Sequence, residues 1–346
     1  MIHLSVVVPV RNEAEHIARV LDSLLVQRYD SDKLEIIVVD GLSEDATPQI
    51  VQEYAQKHSH VRYFENPKRL ASAARNIGIN NAKGGAVLFV DGHCIIDNDD
   101  MLLRVDEAFA KSGADCLGRP QPLEMKDATP LQWAIATARR SPLGHHPDSF
   151  IYSDQARFAP ASSVGAAYRM SVFEKVGTFD ENFDAAEDVE MNTRIDAAGL
   201  RCWFEPAIAV RYVPRKTIQG LQLQMQRYGR GRVRLWRKHR HTASLKSFAP
   251  GLFFFGIYCL LFYLILSLVV NVFWTVWLPA TLMIAQSSLM FFGLYYMILG
   301  AESVRLVFKQ RRPDIVLLLP AVFSLIHINY GWGILREFFF PNTSRQ

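Results

Sequence analysis

Val87-Leu88-Phe89-Val90-Asp91-Gly92-His93 is an apolar run broken off by an acid, a glycine and a histidine. A continuous run of this kind reads as a strand buried on both faces. In an open α/β sheet, ligands bind in the crevice beyond the carboxyl ends of the strands. Asp91 and His93, one residue apart at such an end, would both face a single metal ion there.

The residues on either side of this run repeat one pattern. Leu4–Val10 is a β-branched run, and the helix expected over 14–27 carries Ile17, Val20, Leu21, Leu24 and Leu25 on one face. Leu34–Val39 is a second strand, ending in Asp40-Gly41-Leu42-Ser43-Glu44-Asp45. Thr47 reads as the N-cap of the next helix and Pro48 as its first residue. Val61–Phe64 is a third strand and Leu70–Asn80 a helix. Strand and helix alternate, so the first ~120 residues read as a mostly parallel α/β sheet of the nucleotide-binding type.

The alternation stops between Asp127 and Tyr152. Leu131–Ala136 with Arg139 and Arg140 is either an interfacial helix with its basic end among lipid headgroups, or a surface helix packed on the sheet. Pro142, Gly144 and Pro147 then mark a long loop. Further on, Glu187-Asp188 opens a helix that runs to about Ala198 and stops at Gly199. Carboxylates in a first helical turn answer the macrodipole, so by residue type alone capping accounts for both.

The chain of 346 residues has a net charge of +4, unevenly placed. No acid occurs between Glu205 and Glu302, while Arg and Lys crowd the stretch from Arg211 to Lys246. Such a block suits nucleic acid, anionic lipid or phosphorylated substrates. Because it precedes Gly251–Ala301, which has no charged residue, membrane is expected and nucleic acid is not. Three spans are expected, at 251–270, 279–300 and a weaker one at 315–335 that contains Pro320, His327 and Asn329. His327 and Asn329 read as interhelical hydrogen-bonding groups. The segment 217–228 is not a clean amphipathic helix, because glutamines interrupt its apolar positions. The uncharged, aromatic connector at 271–277 suits an interface, and basic Arg305–Arg312 places the second connector in the cytoplasm, with the C-terminal tail outside. Cys94, Cys116, Cys202 and Cys259 have no metal-site spacing and read as reduced thiols.

Taken in order, these stations resemble a family 2 glycosyltransferase of the GT-A fold. The resemblance runs from Ser5 to Arg240. It rests on Val7–Glu13, Val38–Asp45, Ala74-Arg75-Asn76-Ile77-Gly78, Asp91-Gly92-His93, Gly165–Arg169, Gly177–Glu181 and Glu187-Asp188. The Arg227-Tyr228-Gly229-Arg230-Gly231 stretch and the apolar C-terminus are similar to the bacterial exopolysaccharide, succinoglycan-type branch. The implied organisation is a GT-A domain over 1–215, a basic interfacial segment over 216–248 and a membrane domain over 249–346.

The resemblance also implies roles. Pro9, Arg11, Glu13, Asp40, Arg75 and Asp91 would bind a nucleotide-sugar donor, with Asp40 reading a uracil. Asp91 and His93 would hold a divalent cation, Mn²⁺ rather than Mg²⁺ because imidazole suits manganese better. Asp188 would be the base that deprotonates an acceptor hydroxyl as the anomeric centre inverts. Gly165, Ala166, Glu187, Gln224, Arg227, Tyr228 and Arg230 would serve the acceptor or the diphosphate. Gly41 stands where the family often has a second aspartate. The expected activity is transfer of one sugar from a UDP-sugar to a polyprenyl-linked glycan at the cytoplasmic face of the inner membrane. The alternatives are a polyprenyl-phosphate monosaccharide synthase and a membrane scaffold with a degenerate transferase domain.

Overall fold

The computed structural model describes residues 1–145, 150–243, 245–273 and 278–341, with several side chains between 245 and 284 outside that description. Pro147 of the expected loop, most of the aromatic connector and the tail beyond 341 lie outside the described residues. The chain forms two compact units, Met1–Glu124 with Asp148–Val213, and Met125–Pro147 with Pro214–Gln346.

The first unit is built on one mixed sheet. Its strands are β1 (Leu4–Val10), β2 (Leu34–Asp40), β3 (Val61–Glu65), β4 (Ala86–Phe89), β5 (Cys116–Gly118), β6 (Arg157–Phe158), β7 (Gly165–Arg169) and β8 (Cys202–Phe204). They lie in the order β3-β2-β1-β4-β7-β5-β8-β6. β3, β2, β1 and β4 are parallel, and β7 runs antiparallel between β4 and β5. The order reverses at β1, which has β2 on one side and β4 on the other. That switch point opens a crevice at the carboxyl ends of the strands. Pro9 lies past the last β1–β4 pair, Val7 with Phe89, where β1 is paired on one side only.

Both faces of the sheet are covered, which explains the unbroken apolar runs. Val6, Val8, Ile36, Val38 and Leu88 pack under α1 (Ile17–Leu25) and α4 (Met101–Ser112). Val7, Ile37, Val39, Val87 and Phe89 pack against α3 (Ala71–Asn81), α6 (Met170–Val176) and α7 (Glu187–Ala197). α3 approaches β1 so closely that a Cβ on Gly78 would lie 2.3 Å from Val7 Cγ1. Gly78→Ala gains about 1 kcal/mol of helix propensity. It also overpacks the core, which costs ~1–3 kcal/mol; at so short an approach the upper end is expected, and the melting temperature falls.

Thr47 departs from its expected role as an N-cap. It is the first residue of α2 (Thr47–Lys57), and its hydroxyl accepts the Glu13 amide at 2.8 Å. The loop after β1 needs that acceptor, and the side chain of Asp45 bonds the Thr47 amide at 3.0 Å instead.

The second unit contains α5 (Pro130–Arg139), α8 (Ile218–Lys238), α9 (Leu245–Phe273), α10 (Leu278–Gln310) and α11 (Leu318–Phe339). Ala134, Ile135 and Ala138 of α5 share a core with Leu221 and Met225 of α8, Leu299 of α10 and Phe323 of α11. α5 thus belongs to the core of the second unit. α8 runs unbroken through the basic block, although glutamines interrupt its apolar positions. Gly229 and Gly231 belong to its buried face. A Cβ on Gly229 would lie 2.2 Å from the Tyr330 carbonyl oxygen, and one on Gly333 2.3 Å from that of Gln226. The two backbones touch there, as small residues allow between helices. Gly229→Leu is expected to part α8 from α11 and to lower the melting temperature of the detergent-purified protein by several degrees.

Among the described residues, two helical stretches are long and apolar enough to cross a membrane, Ala285–Gln310 and Leu318–Phe339. The described apolar part of α9 is Phe248–Leu260. Pro320 falls in the first turn of α11, where proline is tolerated. His327 and Asn329 tie helices together. Tyr295 OH lies 2.9 Å from His327 Nδ1, His327 Nε2 2.7 Å from the Leu143 carbonyl, and Gln226 Nε2 donates to Asn329 Oδ1 at 2.8 Å.

Candidate active site

The crevice is built from loops at the strand ends. The loops after β1 and β2 are laced together. The Asn12 amide donates to Ser43 Oγ, the Glu44 amide to Asn12 Oδ1 and the Ala14 amide to Asp45 Oδ2, at 2.8, 2.8 and 3.1 Å. Burial alone would raise the Asp45 carboxyl, but hydrogen bonds from Thr47 and Ala14 hold it below its ordinary value. Arg11 is exposed and lies across Gly41, whose Cβ would sit 3.3 Å from Arg11 Cβ and Cδ. Asp40 is 1% exposed; its carboxylate accepts the Ser43 amide at 3.0 Å and Tyr63 OH at 3.4 Å.

Arg75 is the centre of the site. It projects from α3, and Asn76 beside it fastens the turn that follows α6. Asn76 Nδ2 donates to the Phe179 carbonyl and to Glu181 Oε1, while Asn76 Oδ1 accepts the Phe179 amide, each at 2.9 Å. The Arg75 guanidinium lies 5.4 Å from the Phe179 ring centroid and 5.8 Å from that of Phe89. Its Nη1 bonds Glu187 directly, and its Nη2 stands 3.7 Å from Asp91 Oδ1. Burial would lower its pKa, but Glu187, then Asp91, then Asp188 keep it firmly protonated.

The carboxylates around Arg75 are set apart by their partners. For Asp91, burial alone would raise the pKa; Arg75, then His93, then the Tyr212 hydroxyl hold it below the ordinary carboxylate range. Asp188 is pushed the other way, first by desolvation and then by the charge of Glu187, with Arg75 only partly opposing. One carboxylate is thus kept ionised, while the other becomes a better proton acceptor. Glu187 does not cap α7: its carboxylate goes to Arg75, and the N-cap residue, Ala186, makes no side-chain capping bond and has a left-handed φ of 62°. Such backbone strain in a non-glycine residue gathers at functional sites.

Gly92 makes the strand-end turn possible, since a Cβ there would meet Val10 Cγ1 at 2.6 Å. His93 Nδ1 lies 2.9 Å from Glu13 Oε1, so the Glu13 carboxylate is engaged with the imidazole. Gly165 leaves room for the Asn192 amide, 2.6 Å from where its Cβ would be, and Ala166 is buried beside it. Tyr168 OH donates to Asn192 Oδ1 at 2.9 Å.

Two side chains in the crevice were not anticipated from sequence. Tyr212 OH donates to Asp91 Oδ2 at 2.8 Å. Arg119, 3% exposed, donates to the Phe89 carbonyl at 2.8 Å, while its Nε and Nη1 make no hydrogen bond among the described residues. Arg119 had a legible signal, since Gly118-Arg119-Pro120 is one more strand end. Tyr212 had none: its segment is brought to the crevice by isolated bridges, from Arg211 to Ile95 and from Tyr212 to Leu123.

The remaining expected residues lie on α8 in the second unit. Gln224 Oε1 accepts from Arg139 Nη1 at 3.2 Å, and the Arg139 guanidinium lies 5.5 Å from the Tyr228 ring centroid. Arg227 is exposed and Arg230 half-buried.

The glycosyl transferase family 2 profile matches residues 5–177, and that of glycosyl transferase family group 2 matches 135–298. The chain is 30% identical over 247 residues to the succinoglycan biosynthesis protein ExoA of Rhizobium meliloti, covering 71% of this chain and 73% of that protein. It is 24% identical over 344 residues to a dolichyl N-acetyl-α-D-glucosaminyl phosphate 3-β-D-2,3-diacetamido-2,3-dideoxy-β-D-glucuronosyltransferase of Methanococcus voltae, covering 99% and 98%. Among solved structures, the mannosyltransferase PcManGT of Pyrobaculum calidifontis, in complex with GDP-Man and Mn²⁺, superposes with a TM-score of 0.59. The two are 20% identical, with 96% of this chain and 87% of that one covered. The fold is GT-A-like, and the chain belongs to glycosyl transferase family 2.

Proposed function

We propose that this enzyme transfers a single sugar, with inversion, from a nucleotide-sugar to a lipid-linked glycan at the cytoplasmic face of a membrane. The observation that carries the reading is the convergence of Asp91, Glu187 and Asp188 on Arg75 at the sheet's switch point. The donor diphosphate would lie over the ends of β1 and β4, where Arg75 supplies positive charge. Asp188, made more basic by its surroundings, takes the proton from the acceptor hydroxyl as that oxygen attacks the anomeric carbon.

The chemistry of the donor set fits a divalent cation, Mn²⁺ or Mg²⁺, at Asp91 and His93. Metal-bound histidines usually place their second nitrogen on a carboxylate, as His93 does on Glu13, and ligating carboxylates are themselves hydrogen-bonded, as Asp91 is by Tyr212. Among the described residues no three His, Cys, Asp or Glu side chains gather into a complete cation cage. The other ligands would therefore come from the diphosphate and water. Such an ion offsets the negative charge of a leaving nucleotide.

A lipid-linked acceptor is supported by the apolar helices of the second unit and by the full-length likeness to a transferase named for a dolichyl sugar phosphate. The test is a panel of nucleotides in a thermal-shift assay with and without Mn²⁺, followed by sugar transfer into a lipid extract. UDP at 100 times its Kd is expected to stabilise the protein by about 2.7 kcal/mol, and more with Mn²⁺ present. No stabilisation by any nucleoside diphosphate would defeat the reading.

A further inference from the structure

Two side chains hold the expected cation ligands from behind. Glu13 Oε1 is 2.9 Å from His93 Nδ1, and Tyr212 OH donates to Asp91 Oδ2 at 2.8 Å. The Tyr212 ring also meets the His93 ring edge-on, with centroids 5.8 Å apart. One phenol thus touches both expected ligands in the Asp-Gly-His turn.

Neither side chain is loosely placed. The Glu13 amide is bound by Thr47 Oγ1, and its carbonyl accepts the His16 and Ile17 amides at 2.9 Å, which anchors it at the start of α1. The turn sits directly on it, since a Cβ at Gly92 would come 3.4 Å from Glu13 Cγ. Tyr212 is fixed on both sides. Arg211 and Ile95 exchange two backbone bonds of 2.9 Å, and the Tyr212 amide and carbonyl bond Pro122 and Glu124 at 3.0 and 2.8 Å.

We propose that Glu13 and Tyr212 are positioning residues that aim His93 and Asp91 at one divalent cation. The proposal rests on reading Asp91 and His93 as its ligands, and it gives Glu13 a task other than lining the base and ribose site. A carboxylate on Nδ1 selects the tautomer protonated there, fixes the ring plane and makes Nε2 the coordinating nitrogen. A phenol on Oδ2 orients Asp91 so that Oδ1 is the oxygen offered. Arg75 stands at 3.7 Å from Oδ1, an ion-pair distance that leaves its lone pairs uncommitted to a hydrogen bond.

The experiment is an Mn²⁺ titration of the full chain in detergent with UDP present, followed by the EPR signal of the free ion and by nitrogen coupling in pulsed EPR. Wild type is expected to bind Mn²⁺ with a histidine nitrogen coupled to it. Glu13→Gln and Tyr212→Phe each preserve size and are expected to weaken Mn²⁺ about 10–100-fold. UDP affinity without metal and the melting temperature should stay close to wild type. Glu13→Gln should also weaken the nitrogen coupling, which a merely structural role would not touch. Wild type without bound Mn²⁺, or without nitrogen coupling, defeats the ligand reading itself. Normal Mn²⁺ binding in both variants overturns the positioning role, as does a parallel loss of metal-free UDP binding or of folding.

Discussion

Asp188→Asn is expected to cut sugar transfer by at least ~10²–10⁴-fold, the usual share of a general base, while the thermal shift with UDP is retained. The amide keeps the shape of the side chain but cannot accept the acceptor's proton. Transfer at the wild-type rate would remove Asp188 from the mechanism. It would also favour a phosphate acceptor, which needs no base, and so a polyprenyl-phosphate synthase. The pH profile gives a second reading. With Asp188 as the proposed base, transfer would require its carboxylate, and because Asp188 is held above its ordinary pKa, activity should be lost on acidification at a higher pH than a free aspartate would dictate. Glu187→Gln removes the neighbouring negative charge and frees Arg75 to favour the Asp188 carboxylate. The acid limb should then move to lower pH.

Arg75→Met is expected to destabilise the fold by about 3–5 kcal/mol, because removing one partner of a buried ion pair strands the others. Asp91, Glu187 and Asp188 would be left facing one another, with the Arg75 side chain, itself only 13% exposed, no longer between them. The pH dependence of stability should change with it. Asp91 has a depressed folded pKa, so its contribution is present above the unfolded pKa and is lost as pH falls through the folded value. Without Arg75 the depression largely disappears, and the melting temperature should vary less between neutral and acid pH. Arg75→Lys should recover little, since an ammonium cannot reach Glu187 and Asp91 together with two nitrogens. A variant as stable as wild type, with an unchanged acid slope, would contradict this account.

The parts of the site legible in sequence are those where one residue type has one use at one kind of place. Asp91, Asp40 and Glu13 each stand just past an apolar run, and the sheet brings those ends to one edge. Ala74–Gly78 was legible as a motif but not as a mechanism. Arg75 enters the crevice, Asn76 clasps the Phe179 turn, and Gly78 lets the helix lie on Val7. Spacing along the chain shows none of these three tasks.

Other features needed distant segments to meet. Tyr212 follows Asp91 by more than a hundred residues and reaches it through the backbone bridge between Arg211 and Ile95. Helix α8 shows no clean amphipathic pattern over 217–228 because hydrophobic periodicity scores glutamine as polar. Against α11, Gly229 is the surface that permits contact, and Gln226 finds Asn329. Periodicity registers how each residue meets water, and it is blind to what a neighbouring helix offers.

The sequence by itself therefore determined the α/β alternation, the acidic strand ends, the family and an apolar C-terminal third, because each is written in local pattern. Only the tertiary structure decided that Glu187 serves Arg75 instead of capping its helix, that Glu13 holds His93, and that α5 shares a core with the C-terminal helices. Those outcomes depend on which buried charge and which apolar face happen to meet, and such pairings are settled by burial and distance between residues far apart in the chain.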